Sequence, residues 1–342
     1  MKKIFCLAII LFLSKIIFTQ NDYSIEIIHD GVNTSLRGLF VVNNQVIWAS
    51  GSNGYVGRSI DGGATWSFKQ LANYDSAEFR DIEAFDENIA IVMGSVQPAC
   101  ILKTIDGGNT WNEVFRDNRP EIFLDGMDFH GDKGVCLGDP VSNKFFLIYT
   151  RDKGETWITP EAAKLPSAEK GIAAFAASGT SIQFINGRRI KFGTGGENCG
   201  KLYSGKFDDA NWKITDVLIN DTNASSGIFS ILFLSRWKGF VVGGDYERPD
   251  SREGTFANTH NGGKSWKTYL NSPLGYRSCI EKIDNKYLIC CGTDGIDIAE
   301  IKSQIKWVKI NNDGFNVVQH SKKGNVIFLA GNNGRIAKVK MK

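Results

Sequence analysis

Three arginines stand where short apolar runs begin: Arg37 before Gly38-Leu39-Phe40-Val41, Arg80 before Asp81-Ile82, and Arg277 before Ser278-Cys279-Ile280. A fourth such run opens with Asp125, and Tyr276 stands beside Arg277. Guanidiniums gathered at one rim would grip a carboxylate, a phosphate or an acidic protein segment in bidentate fashion. The same side chains could instead close an internal ion ring with Asp81, Asp125 and Glu169, and both readings stand at this point. A second polar set follows glycines: Asp139 in Gly138-Asp139-Pro140, and Asp245 and Tyr246 after Gly244. Such acids suit tight turns or, less specifically, a hard cation, but they lack D-x-D-x-D spacing. The glycine-rich stretch 193–199 has no Gly-Lys-Ser/Thr and opens no helix, so it is not a phosphate loop. The histidines are His29, His130, His260 and His320; none pairs at a metal-ligand spacing, and no Gly-x-Ser-x-Gly elbow occurs. No catalytic residue, metal or cofactor is therefore assigned.

Residues so far apart can meet only if a repeated framework gathers them. One is visible. Ser59-Ile60-Asp61-Gly62-Gly63-Ala64-Thr65-Trp66 returns as Thr104-Ile105-Asp106-Gly107-Gly108-Asn109-Thr110-Trp111. It returns again as Thr150-Arg151-Asp152-Lys153-Gly154-Glu155-Thr156-Trp157 and as Thr259-His260-Asn261-Gly262-Gly263-Lys264-Ser265-Trp266. Worn copies end at Trp212 and Trp307, so the tryptophan intervals are 45, 46, 55, 54 and 41 residues. That spacing fits one four-stranded propeller blade. The phrase explains itself mechanically. The Asp carboxylate accepts N–H bonds within the turn, the glycines tolerate positive φ, and the hydroxyl pins the turn from the preceding strand. The Trp then buries a large ring between neighbouring sheets, with its N–H able to find a partner.

The phrase resembles the Asp-box, or bacterial neuraminidase repeat, with Asp61, Trp66, Asp106, Trp111, Asp152, Trp157, Asn261 and Trp266 in structural roles. Short apolar runs recur 11–16 residues after most of the tryptophans, among them Asp125-Gly126-Met127-Asp128-Phe129, Gly171 to Phe175 and Phe315 to Val318. Counting them predicts an all-β, seven-bladed propeller of four-stranded antiparallel blades. The last unit runs out of chain before its outer strand. Tyr23 to Arg37 is the same 14-residue offset as Trp66 to Arg80, so residues 23–28 are expected to fill that slot and close the ring.

The leader and charge set the compartment. Lys2 and Lys3 precede an apolar run from Ile4 to Leu13, which reads as a secretory signal peptide over residues 1–20. Residues 21–342 then form a single domain in the periplasm or outside the cell, with no membrane span. The chain has 40 Lys+Arg and 37 Asp+Glu; removing Lys2, Lys3 and Lys15 leaves 37 of each. A neutral mature chain gives no broad basic face for nucleic acid. Cys100, Cys136, Cys199, Cys279, Cys290 and Cys291 match no metal-ligand spacing. They read as small core residues, with a bridge from Cys279 to Cys290 or Cys291 as the alternative.

Several stretches resemble the photosystem II stability/assembly factor family and its relatives in non-photosynthetic bacteria. They are Phe79-Arg80-Asp81-Ile82-Glu83-Ala84-Phe85, Asp125 to Phe129, Gly138-Asp139-Pro140, Phe175 to Thr180, and Gly243-Gly244-Asp245-Tyr246. That resemblance implies an exported propeller that holds a partner protein through a basic patch, for which Arg37, Arg80 and Arg277 are the candidates. The Asp-box also resembles sialidases, which would imply a glycoside hydrolase using three arginines, a Tyr nucleophile such as Tyr276 and an acid such as Asp125. The sialidase Arg-Ile-Pro motif is absent, and Asp-boxes lie away from active sites, so they carry no activity with them. The reading is a non-catalytic, monomeric scaffold that binds an envelope or extracellular protein, or a glycan.

Overall fold

The structure, a computed structural model, describes residues 23–96, 98–219, 223–269 and 273–341. The leader proposed for residues 1–20 lies outside the described residues. Antiparallel meanders follow one another along the chain. The first runs Leu36–Val41, Ile47–Gly51, Tyr55–Ser59 and Ser67–Gln70, and the second Phe79–Ala84, Ala90–Gly94, Ala99–Thr104 and Asn112–Asp117. The third has three strands, Leu124–His130, Lys133–Val141 and Lys144–Thr150. Where the repeat predicts a fourth strand after Trp157, two isolated bridges form instead, Tyr149–Ile158 and Lys144–Ser167. Pro160 has no N–H to extend the first of them.

The fourth meander is Ile182–Ile185, Arg189–Gly196, Lys201–Lys206 and Lys213–Asp216. Its first strand is therefore not the predicted Gly171 to Phe175. Only Ile172–Ala173 of that run pairs, at the far end of Arg189–Gly196. The fifth comprises Asn223–Phe233, Gly239–Asp245, Phe256–Thr259 and Lys267–Thr268, and joins the fourth through Gly195–Gly227 into one nine-stranded sheet. The sixth comprises Cys279–Lys282, Tyr287–Gly292, Gly295–Glu300 and Trp307–Asn311. The seventh holds Val317–His320, Ile327–Ala330 and Ile336–Met341, with Tyr23–His29 antiparallel on the last of these.

The core lies between facing sheets rather than in one centre. Phe40, Trp48 and Val56 of the first meander pack on Phe79, Ile82 and Val92 of the second, and Leu147 and Tyr149 of the third on Phe184 and Phe192 of the fourth. The second strand of the second meander, Ala90–Gly94, is apolar and buried throughout because both its faces are covered.

The Asp-Gly-Gly turns close the outer hairpins as their chemistry requires. Asp61 Oδ1 accepts from Thr65 N at 2.9 Å, Asp61 Oδ2 from Thr65 Oγ1 at 2.6 Å, and Ser59 Oγ from Gly63 N at 2.9 Å. These bonds hold the Asp61 and Asp106 carboxyls near 2, led in each case by the Thr hydroxyl. Gly62 and Gly63 sit at φ +73° and +88°. The tryptophans wedge edge-on against aromatic neighbours, Trp111 on Trp48 at 6.2 Å and Trp307 on Phe256 at 5.2 Å. Most of the indoles make no hydrogen bond: Nε1 of Trp66, Trp111, Trp157, Trp266 and Trp307 is buried without a partner. Trp212 is different, donating to Lys164 O at 3.0 Å. The six described cysteines are free, Cys279 lying across from Cys291 without a bridge.

Candidate binding cavity

The first strands of the first three meanders each carry a β-bulge one residue from their start. The register shifts between Leu36 and Gly38, Phe79 and Asp81, and Leu124 and Gly126. The residues thrown out of register are Arg37, Arg80 and Asp125. The fifth meander repeats this between Ile228 and Ser230, at Phe229. A bulge re-aims a side chain, and all four side chains line one open cavity of about 470 Å³. Asp139, Tyr246 and Tyr276 line it too, so six of the eight predicted ligand residues meet there.

Arg277 and Asp245 do not line it. Arg277 N donates to Gly243 O, as Leu36 N does to Gly331 O and Phe315 N to Gly292 O, each reaching the second strand of the preceding meander. Arg277 therefore occupies the position of Leu36, and Ser278 that of Arg37. With side chains alternating along a strand, the one-residue difference sends Arg277 away from the cavity. It is wholly buried, bonded to Asp294 and Asp297 and to the carbonyls of Tyr276 and Leu274. Asp245 is a turn anchor, accepting from Ser225 Oγ at 2.6 Å, Arg248 Nε at 2.7 Å and Asn223 Nδ2 at 3.0 Å. Burial opposes its ionisation, but these bonds hold its carboxyl well below the usual range.

The internal ion ring likewise does not form. Asp81 accepts from Met127 N and Ile82 N. Arg80 pairs with Glu78 at 3.3 Å, and Glu169 pairs with Lys201 at 3.4 Å.

The floor explains the long 55-residue interval. Residues 173–181 run ahead of Ile182–Ile185 as a strap that reaches the first, second, fifth and sixth meanders. Arg37 Nη1 donates to Ala177 O at 3.4 Å and Arg80 Nη1 to Ala176 O at 3.3 Å. Ser178 Oγ donates to Ser278 O at 2.8 Å, and Thr180 Oγ1 lies 2.6 Å from Ser230 Oγ. Gly179 is fixed by contact as well as by its φ of +72°: a Cβ there would strike the Asp81 carboxylate. Beneath the strap, Asp81, Glu83, Asp128 and Glu281 surround Lys322.

Electrostatically the cavity is cationic and incompletely satisfied. Arg37 has no carboxylate within ion-pair distance among the described residues; burial, then neighbouring Arg80, push its pKa down. Asp125 is 1% exposed, and neither carboxyl oxygen has a hydrogen-bond partner. Burial, then Asp139, push it well above the usual carboxylate range, against the pull of Arg80. Burial raises Asp139 to about 6, opposed by its bond from Ala174 N. The apolar wall is aromatic: Phe175 stacks on Phe229 at 4.0 Å, and Tyr276 and Tyr246 meet Phe229 edge-on. Tyr276 is 4% exposed and burial drives its hydroxyl up, which makes it a poor nucleophile. Sequence reasoning passed over Phe123, Phe229, Ser278 and Asn316, which also line the site. Their only signal was place: Phe229 sits at the bulge after Ile228, and Ser278 and Asn316 immediately precede Cys279–Lys282 and Val317–His320.

No family model matches this chain, and no curated protein matches it in sequence. Solved structures do match. YCF48 bound to a D1 peptide superposes with a TM-score of 0.67 at 13% identity, over 94% of this chain and 98% of that one. YCF48 from Cyanidioschyzon merolae superposes at 0.62 with 14% identity, over 92% and 98%. At such identity the likeness establishes a β-propeller fold, and with it a resemblance to the photosystem II stability/assembly factor family.

Proposed function

We propose that this chain is an exported, non-catalytic binding propeller whose bulge-lined cavity holds a segment of a partner protein. The observation that carries the reading is the pairing of chemistries in one opening. Arg37 and Arg80 present guanidinium to a carboxylate, while Asp125 keeps a buried, unbonded carboxyl beside an aromatic wall. An unpaired buried polar group is costly, and a ligand amide or carboxylate would satisfy it. A YCF48 structure holds a D1 peptide, which supports a peptide segment as the kind of ligand.

In the same proposal, seven blades with Asp-box turns close into a ring, the last completed by Tyr23–His29. Support comes from the first strands, each of which neighbours the next, with Val317–His320 beside Leu36–Val41. Residues 1–20 act as a signal peptide, and the mature chain works as a monomer in the periplasm or outside the cell. With Arg277 bound to Asp294 and Asp297, the three-arginine site of the sialidase reading is incomplete.

The test is a photo-reactive side chain at Tyr246, which is half exposed at the cavity rim. Irradiation in the native envelope is expected to give a covalent adduct with one protein. No adduct, or turnover of a fluorogenic sialoside by the purified chain, would overturn the reading.

A further inference from the structure

Two of the grooves between neighbouring sheets share a plan, in which a lysine from one sheet reaches a carbonyl of the next sheet's Asp-box-like turn. Between the first and second sheets, Arg58 Nη1 donates to Glu87 O at 2.7 Å and Lys69 Nζ to Gly108 O at 3.3 Å, leaving about 50 Å³ of space. Between the second and third, Lys103 Nζ donates to Lys153 O at 2.9 Å and Glu155 Oε1 at 2.6 Å. In both, the cations are spent on the fold.

The groove between the fourth and fifth sheets departs from this plan. Lys191 fills the structural role, donating to Gly262 O and Ser204 Oγ at 2.9 Å. Four further cations line the groove: Arg189, Lys213, Arg236 and Lys264. All four are exposed, and none has a carboxylate partner among the described residues. The turn has itself lost its negative charge. Asn261 stands where Asp61, Asp106 and Asp152 stand elsewhere, and Lys264 occupies the place of Glu155. Asn261 keeps the turn closed, accepting from Ser265 N at 3.0 Å and Thr259 Oγ1 at 2.9 Å. The change therefore removes charge without removing the turn. The groove has opened to about 260 Å³, with Trp237 48% exposed beside the cations.

We propose that this groove is a second binding site, separate from the cavity, for an anionic polysaccharide carrying sulfate or uronic carboxylate groups. Charges spread over two strands, a loop and a turn call for a ligand with several separated anions rather than one phosphate. Trp237 beside them suits the apolar face of a sugar ring, since an indole gives broad contact at little entropy cost. A run of acidic residues alone would meet the charges but bring no flat apolar face to the side of the indole that Arg236, 4.5 Å from the ring centre, leaves open.

The test titrates the full mature protein with a heparin-derived octasaccharide, following Trp fluorescence at low salt. Saturable binding that weakens as salt rises is expected. Lys213→Ala with Lys264→Ala should weaken it by at least about tenfold, both side chains being exposed and outside the core. Asn261→Asp should weaken it several-fold with an unchanged melting temperature, because it restores the charge the other turns carry. Absent binding, or binding unchanged in the double variant, would overturn the proposal. So would loss of binding in Arg37→Ala with Arg80→Ala, which would move the anion site to the cavity. Tighter binding of poly-glutamate of equal charge would assign the groove to an acidic protein segment instead.

Discussion

Arg277 donates its Nε to Asp297 Oδ2 at 2.6 Å, and both side chains are wholly buried. Nη1 reaches Asp294 at 2.6 Å and Nη2 the carbonyl of Leu274 at 3.0 Å, tying the loop before the sixth sheet to that sheet. Removing one member of a buried pair strands the other charge, at a cost of about 3–5 kcal/mol. Arg277→Ala and Asp297→Ala should both lower the urea midpoint strongly. A loss below about 1 kcal/mol in either would contradict the assignment of Arg277 to the fold.

Arg37 and Arg80 should behave in the opposite way. Each makes one long bond to a strap carbonyl, and the Arg80–Glu78 pair is partly exposed. Such contacts contribute little to folding. The double alanine variant is therefore expected to stay within about 1 kcal/mol of the parent in chemical denaturation. Strong destabilisation would make these residues structural, as Arg277 is.

The acids of the cavity set a pH dependence. Asp139 is raised to about 6 and Asp125 well above its ordinary value, in both cases first by burial. The folded chain therefore keeps protons that the unfolded chain releases near pH 4. Their contribution is fully present below about pH 4 and is lost as pH rises, through about 6 for Asp139 and through its own raised value for Asp125. Asp125→Asn with Asp139→Asn should flatten the fall in urea midpoint between pH 4.5 and 7.5. Asp81, raised to about 7 by burial, leaves a residual slope. A slope identical to the parent's would be evidence against buried, unpaired carboxyls.

The turns can be tuned in both directions. Ser59 Oγ accepts from Gly63 N and donates to Asp61, and Ser59→Ala should cost about 1–2 kcal/mol, as loss of a capping hydroxyl does. Lys153 holds φ +57° where the sister turns have glycine. Lys153→Gly relieves that conformation and should raise stability by about 0.5–1 kcal/mol. Melting curves of the two variants should shift in opposite directions.

What the sequence made legible was periodic. Six tryptophans at blade-like spacing marked the outer hairpins; three follow a glycine-bearing turn with a pinned Asp, and Trp266 follows its Asn261 counterpart. Register was not legible. Arg37 and Arg277 both precede apolar runs, yet a bulge carries Arg37 into the cavity and Arg277 sits one residue earlier. Neither is a matter of composition. The strap over residues 173–181 looked like a first strand because Ala173, Ala174 and Phe175 are apolar; they line the cavity instead. The unbonded indole nitrogens show tryptophan chosen for its volume, with its polar edge left as a cost.

The most direct measurement is the affinity of the partner recovered through the Tyr246 cross-link for the parent chain, for Arg37→Ala with Arg80→Ala, and for Arg277→Lys. The account predicts a loss of at least about a hundredfold in the double variant, as charge-assisted bidentate contacts are removed. It predicts near-parental affinity for Arg277→Lys wherever that variant is folded. Equal affinity for the parent and the double variant would contradict it.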